Sequence, residues 1–239
     1  MTSSTGNVGL LASAAGSLAL ALSVCSAPTP ARAEVQISVY GGMNTNFDSK
    51  GTLKFPGYSE TRTFEWEGKS FQMPPYWGVQ GTYWFNHGAS LGLAVDYTHS
   101  KAYANLDFAT DPTYSHLEFT DGNNLIIANL MYRFNPWMDG KLVPFVGIGG
   151  GVAIPHVEVI TRALPGPIPP SKTWEYQCCG PAAQVLGGLE YKLNESWSVF
   201  TEAKLSYSHL RTDLQGDGSF KTYLWTPQLA IGLTYRFGN

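Results

Sequence analysis

The chain has 239 residues, of which 44% are hydrophobic, 13% aromatic and 14% charged, with 26 glycines and a formal net charge of -3. This size suits one domain, and the low charge with many glycines and aromatics excludes a disordered chain and a coiled coil. The acidic balance, without a Lys/Arg cluster, argues against a nucleic-acid partner. After the N-terminus no apolar run approaches the roughly 18 to 20 residues of a transmembrane helix. A soluble β-rich domain or a membrane β-barrel remains.

The first 33 residues are predicted to be a secretory signal peptide. Residues 8–24 consist of Leu, Ala, Gly, Ser and Val, and the segment ends in Ala31-Arg32-Ala33, an A-x-A cleavage pattern. An n-region without Lys or Arg departs from the usual pattern, and a retained membrane anchor is the alternative. The predicted division is therefore a signal peptide at 1–33 and a β-barrel at 34–239.

The remaining sequence carries a period-2 alternation that predicts eight β-strands. In each segment apolar side chains alternate with glycine or polar side chains, which gives one apolar face. A soluble β-sandwich shows the same alternation, so the period alone leaves both architectures open. The eight segments are residues 35–42, 76–85, 90–99, 123–134, 143–156, 182–193, 197–209 and 226–237.

Three further features favour a transmembrane barrel. Most segments reach ten residues or more, which matches a tilted bilayer crossing. Aromatic residues such as Trp84, Phe134 and Trp197 cluster at segment ends, as in an interfacial girdle. Short connections at 86–89, 135–142 and 194–196 alternate with long ones at 43–75, 100–122, 157–181 and 210–225. The sequence thus predicts an all-β protein, an eight-stranded antiparallel transmembrane β-barrel of the bacterial outer membrane with long outer loops and short periplasmic turns.

The lumen of an eight-stranded barrel is expected to be filled by side chains rather than to form an open pore. Charged residues on the non-apolar strand faces are then predicted to pair with one another, because an unpaired buried charge is costly. These residues are Arg133, Glu190, Lys192, Glu202, Lys204 and Arg236. Cys178 and Cys179 are adjacent, which favours two thiols or a pairing between chains over a strained vicinal disulfide.

The histidines and nearby acids are the candidate functional residues. His99, His156 and His209 fall at the outer ends of strands, in phase with the apolar faces. His116 falls in the second outer loop and His87 in a periplasmic turn. Imidazole and carboxylate groups at such a rim can hold a divalent metal or supply acid-base groups. The alternative is that they solvate strand ends and bind bridging cations of lipopolysaccharide. The acidic residues assigned to this rim are Asp96, Glu118, Asp121 and Glu158.

Four stretches resemble a known family of membrane proteins. They are W-E-G-K-S-F-Q-M-P-P-Y at 66–76, D-Y-T-H-S-K at 96–101, L-E-F-T-D-G at 117–122 and V-A-I-P-H-V-E at 152–158. In these stretches the chain is similar to small alphaproteobacterial outer-membrane barrels, a family that includes the lipid A oxidase of rhizobia. The resemblance covers residues 35–237, and its most specific parts are the first stretch and the P-H-V-E corner.

The resemblance implies an oxygen-dependent oxidation of the proximal glucosamine of lipid A to 2-aminogluconate, with hydrogen peroxide as coproduct. It implies a divalent metal cation as cofactor, dioxygen as co-substrate, lipopolysaccharide of the outer leaflet as partner and the cell outer membrane as location. It carries no assignment of catalytic residues, and membership does not by itself mean activity. A non-catalytic structural or surface-interaction barrel is the alternative, so the question of an enzyme stays open.

The implied chemistry and the rim residues meet at the outer surface of the membrane. Oxidation at C1 of a sugar with dioxygen needs a metal or radical centre, because side chains alone do not supply it. We therefore interpret His99, His156 and Glu158 as metal ligands. Glu118 and Asp121 are further candidates for the site. Glu67 and Lys69 of the first loop are predicted to position the substrate phosphate and hydroxyls, with a salt-bridged loop anchor as the alternative.

Overall fold

The computed structural model describes residues 33–86 and 90–237. The predicted signal peptide up to residue 32, and His87, lie outside the described residues. Within the described ranges no helix is long and apolar enough to cross a membrane. The strands are β1 (Glu34–Asn44), β2 (Ser49–Phe55), β3 (Tyr58–Phe64), β4 (Trp66–Glu67), β5 (Trp77–Trp84), β6 (Leu91–Ala104), β7 (Tyr114–Arg133), β8 (Leu142–Thr161), β9 (Lys172–Tyr176), β10 (Gly180–Lys192), β11 (Trp197–Leu214) and β12 (Gly218–Phe237).

Eight of these strands close into an antiparallel barrel. Their order is β1-β5-β6-β7-β8-β10-β11-β12, and β12 pairs back to β1. The predicted eight-stranded antiparallel barrel is therefore confirmed, with one ring strand for each predicted segment. The hairpin of β2 and β3 extends β12, while β4 pairs with β6 and β9 pairs with β8. Because the ring has an even number of strands, β1 begins and β12 ends at the same end of the barrel. We call the half of the barrel farther from that end the outer half.

The half of the barrel nearer the chain ends has an apolar exterior. Leu93, Ile148 and Ile231 expose half or more of their surface there. Tyr83 and Phe134 are also exposed, where β5 and β7 end. Free exposure of this much apolar surface is unfavourable in water, so this band is the surface that contacts lipid.

Charged and hydroxyl side chains fill the lumen behind this band. Lys204 Nζ lies 2.7 Å from Asp96 Oδ2 and 3.2 Å from Glu202 Oε1. Tyr40 donates its hydroxyl hydrogen to Asp96 Oδ1 at 2.7 Å and accepts from Lys204 Nζ at 2.7 Å. Asp96 was predicted at the rim, but it faces the lumen because its neighbour Val95 holds the exterior position.

A second lumen cluster lies near the chain ends. Arg133 forms two hydrogen bonds to the carboxylate of Glu34, at 2.9 and 3.0 Å. Arg236 bridges Glu34 and Glu190, with 2.7 Å to each carboxylate. Of the six residues predicted to pair with one another, four do so: Glu190 with Arg236 and Glu202 with Lys204. Arg133 pairs instead with Glu34, and Lys192 is half-buried and forms no ion pair within the described chain.

The barrel wall continues beyond the apolar band, so much of the predicted outer loops is strand. In the outer half the interior faces carry apolar residues, such as Leu117 and Phe119 on β7 and Val157 and Val159 on β8. Residues of the β2–β3 hairpin pack onto them, and together they close the outer end of the lumen. The connection between β11 and β12 is only a turn, in which Gly216 adopts a φ of 83°. Beyond β9 the adjacent cysteines form a vicinal disulfide, where the sequence favoured thiols or a pairing between chains.

An ion pair ties the loop between β6 and β7 to the outer half. Arg62 Nη1 lies 2.8 Å from Asp111 Oδ2, and the backbone N–H groups of Thr113 and Tyr114 donate to Asp111 Oδ1 at 2.9 and 2.7 Å. Burial opposes the charged form of Asp111, but the hydrogen bonds and the charge of Arg62 outweigh it and lower its pKa below the ordinary 3.8.

Replacing Asp111 by Asn is expected to destabilise the outer half by about 1.5 to 3 kcal/mol at pH 7. Because the folded-state pKa of Asp111 is lowered, its stabilisation is complete above pH 3.8 and is lost as the pH falls through the folded-state value. Thermal unfolding of the unaltered protein and of Asp111→Asn, followed by near-UV circular dichroism at pH 7 and at pH 2 to 3, measures this. A difference in melting temperature that is the same at both pH values would contradict the lowered pKa of Asp111.

Candidate functional site

One row of residues crosses five strands of the outer half. Glu67 of β4 pairs with Tyr103 of β6, and Tyr103 pairs with Glu118 of β7. Glu118 pairs with Glu158 of β8, and Glu158 with Trp174 of β9. The interior positions of β7 and β8 are apolar, so this row lies on the exterior of the barrel. The structure therefore brings three of the candidate carboxylates onto one exterior surface.

Two histidines and three carboxylates converge on this surface; we call His116, Glu118, Asp121, His156 and Glu158 the rim cluster. The ligand atoms of His116, Glu118 and Glu158 lie within 4.8 Å of one another, and so do those of Asp121, His156 and Glu158. The register shifts between Glu118 and Asn123, and this irregularity of β7 contributes Asp121.

The carboxylate of Glu158 joins the two halves of the rim cluster. Its Oε1 lies 2.8 Å from His156 Nδ1, and its Oε2 lies 3.6 Å from His116 Nε2. Asp121 Oδ2 lies 3.7 Å from His156 Nδ1, and Glu118 Oε1 lies 2.5 Å from His116 Nε2. The backbone N–H of Asp121 also donates to Glu158 Oε1 at 3.1 Å.

Aromatic rings of β9 shield the rim cluster from solvent. Trp174 packs with its ring centroid 5.2 Å from that of His116, and the ring of Tyr176 lies 4.5 Å from that of His156. The side chain of Glu158 is only 3% exposed, whereas that of Asp121 is 52% exposed. The cluster is therefore enclosed on most sides and open beside Asp121.

The excess of carboxylates perturbs the pKa values in the rim cluster. Burial lowers the pKa of His116, but the adjacent Glu118 and Glu158 outweigh it and raise it from 6.5 to about 9. Burial likewise opposes the charge of Glu158, but hydrogen bonds from His116, His156 and the Asp121 backbone lower its pKa from 4.5 to about 2. The site is thus a region of strong negative potential that favours a bound positive charge.

His99 and His209, the other two histidines predicted at strand ends, lie outside the rim cluster. His99 lies in β6, where its Nδ1 is 2.9 Å from Asn124 Oδ1 and its ring stacks on Trp77. Gly122, with a φ of 117°, covers that ring so closely that a Cβ at this position would clash with it. His209 lies in β11, which β10 separates from β8. The predicted ligand pair His156 and Glu158 is brought together, while His99 is not among the described groups whose ligand atoms converge.

Glu67 and Lys69 lie at the edge of the same surface. Their side chains are 3.7 Å apart, and Lys69 Nζ lies 2.9 Å from the ring centroid of Tyr103. Lys101 donates from its Nζ to the backbone oxygen of Gln72 at 2.8 Å and is buried beneath this loop. Two cations therefore lie close to the carboxylates of the row, Lys69 at the surface and Lys101 beneath it.

His116 is the residue that the sequence pattern missed, because it was assigned to a loop. It lies in β7, between Tyr114 and Leu117. These two residues and Phe119 hold the interior positions. Strand extension was visible only at residues 117–119, where two apolar residues of the interior face flank one polar residue. Trp174 and Tyr176 were missed for the same reason.

Residues 17–237 match the family described as "Outer membrane protein beta-barrel domain". The chain belongs to this family. It is therefore an outer-membrane protein, and the exterior apolar band is its lipid-facing surface. No protein of curated function is significantly similar to the sequence.

Several solved outer-membrane barrels are similar to this chain at low sequence identity. OprG of Pseudomonas aeruginosa is 12% identical, with a TM-score of 0.51, and the match covers 87% of this chain and 98% of that one. Neisserial surface protein A is 17% identical, with a TM-score of 0.41, over 85% of this chain and 96% of that one. Ail of Yersinia pestis is 13% identical, with a TM-score of 0.38, over 86% and 99%. At these identities the likeness to OprG concerns the fold alone.

Proposed function

We propose that this barrel is a lipid A oxidase, which oxidises the proximal glucosamine of lipid A in the outer leaflet. The observation that carries the proposal is the exterior position of the rim cluster. An enzyme acting on a soluble molecule would take it from a cleft or from the lumen, but here the apolar core of the outer half fills the lumen. Groups on the exterior, just beyond the lipid-facing band, can reach the sugar of a lipid that lies beside the barrel.

The residues present fit the divalent metal that this chemistry needs. Imidazole and carboxylate are ligands for redox-active and other divalent ions, and Asp121, His156 and Glu158 place one such donor set within 4.8 Å. We assign the metal to these three residues, which keeps two of the ligands expected from the sequence and replaces His99 by Asp121. An ion held by these residues would provide the redox chemistry with dioxygen.

The neighbouring side chains support binding of a phosphorylated glycolipid. Lys69 presents an ammonium group for a phosphate, and Glu67, whose side chain is 49% exposed, can accept a hydrogen bond from a sugar hydroxyl. Phe71 and Met73 follow Lys69 in the loop and are 78% and 85% exposed. These apolar side chains extend the lipid-facing surface beside the cations, where the acyl chains of the substrate would lie.

The proposed reaction needs a lipid A whose C1 carries a free hydroxyl. The C1–H and O–H bonds break, a C=O bond forms, and dioxygen takes up the two electrons and two protons as hydrogen peroxide. Addition of water to the resulting lactone gives 2-aminogluconate. The wall of Trp174 and Tyr176 keeps bulk water away from the metal ligands.

Mass spectrometry of lipid A tests the proposal. The purified protein is incubated in air with a divalent cation and vesicles containing lipid A with a free C1 hydroxyl. We expect a species heavier by one oxygen at the proximal sugar, which disappears without dioxygen or with a chelator. Unchanged lipid A under these conditions would contradict the oxidase and favour the non-catalytic barrel.

A further inference from the structure

We propose that the rim cluster binds two divalent metal ions, with Glu158 as a bridging carboxylate and His116 and Glu118 as ligands of the second ion. The proposal deepens the proposed function, because it rests on the same Glu158 and His156. It adds a metal position that neither the sequence nor the family indicated.

The two donor sets share one residue and divide its oxygens. Glu158 Oε1 lies 2.8 Å from His156 Nδ1, and Oε2 lies 3.6 Å from His116 Nε2. Each side of Glu158 therefore has one imidazole and one further carboxylate, Asp121 with His156 and Glu118 with His116. In two-metal sites the ions lie about 3.5 to 4 Å apart, a separation that the two oxygens of one carboxylate can bridge.

The position of the His116 ring nitrogen is a further observation. His116 Nε2 is shielded from solvent and lies 2.5 Å from Glu118 Oε1 and 3.6 Å from Glu158 Oε2. A metal ion between the imidazole and the two carboxylates would satisfy the nitrogen and both oxygens at once.

The charge of the site also leaves room for a second cation. The three carboxylates contribute a charge of -3, and the two imidazoles can bind metal in their neutral form. One divalent ion leaves a net charge of -1, and two bring it to +1. Glu118 and Glu158 are carried by the paired strands β7 and β8, and Asp121 by the bulge of β7, so the backbone holds the three acids close together.

The structure offers a matched set of variants for the test. Protein purified from outer membranes is stripped with chelator, equilibrated with Mn²⁺ and passed through a desalting column. Bound manganese per chain is then measured by mass spectrometry, and electron paramagnetic resonance reports whether the bound ions are coupled. His116→Ala removes a ligand of the second ion, Asp121→Asn one of the first, and Glu158→Gln weakens both. His209→Ala is the control, because it removes an exterior histidine outside the cluster.

We expect two coupled Mn²⁺ ions per chain in the unaltered protein and in His209→Ala. One uncoupled ion is expected in His116→Ala, and Glu158→Gln is expected to lose the coupling. Heat-modifiable migration in gels verifies that each variant is folded. One ion per chain before any substitution, or two ions whose number does not respond to His116→Ala, would overturn the proposal. Two coupled ions without lipid A oxidation would leave this proposal standing and refute the oxidase, whereas one ion with oxidation would do the reverse.

Discussion

Replacing His156 by Ala is expected to lower the rate of lipid A oxidation by roughly 100-fold or more. Even the loss of a residue that only hydrogen-bonds to a metal ligand lowers metal affinity or activity by about 10- to 100-fold. His156 contributes the imidazole that lies 2.8 Å from Glu158 and 3.7 Å from Asp121. Its removal leaves two carboxylates without the nitrogen ligand between them. The rate is measured from the amount of lipid A that gains one oxygen in vesicles.

Two further variants make this result specific. His209→Ala removes an exterior histidine that lies outside the rim cluster, and we expect it to keep the full rate. His99→Ala removes a histidine that the sequence pattern assigned to the metal. In the structure His99 is hydrogen-bonded to Asn124 and lies outside the rim cluster. We expect a smaller effect for His99→Ala than for His156→Ala. Full activity of His156→Ala in a correctly folded barrel would refute the ligand assignment.

The fold could be predicted because the bilayer imposes a simple pattern on each strand. Lipid on one side and a polar lumen on the other force apolar and polar residues to alternate, as in Leu93 and Val95 with Ala94 and Asp96. Each of the eight alternating segments became one ring strand. The lumen charges were predicted in most cases for the same reason, because buried charges need partners.

Only part of the candidate site was predicted, because the pattern of apolar and polar strand faces inverts beyond the lipid-facing band. In the band the exterior of β8 is apolar, as at Ile148, whereas beyond it Val157 and Val159 face an apolar interior and His156 and Glu158 face outward. An interpretation that assigns strands by exterior apolar residues ends them at this inversion. It therefore finds His156 at a strand end but leaves His116 in a loop. Neighbouring strands could not be deduced from alternation alone, which is why His99 and His209 were grouped with His156.

Lys204 is expected to be essential for barrel stability, because it neutralises two buried acids in the lumen. Its ammonium group lies 2.7 Å from Asp96 and 3.2 Å from Glu202, and none of the three side chains is more than 2% exposed. Replacing Lys204 by Met keeps the length and packing of the side chain but leaves both carboxylates unpaired. Breaking a buried ion pair in this way costs about 3 to 5 kcal/mol.

Equilibrium unfolding in urea with the barrel in lipid vesicles measures this loss. We expect the midpoint for Lys204→Met to fall while the slope stays the same, since the surface exposed on unfolding hardly changes. Lys192→Met is the matched control, because Lys192 is half-buried and forms no ion pair within the described chain. Adding Glu202→Gln to Lys204→Met should recover part of the stability, because only Asp96 then stays uncompensated. Equal midpoints for Lys204→Met and Lys192→Met would show that the lumen solvates the carboxylates without Lys204, and the polar lumen would then be a water-filled space rather than a set of paired charges.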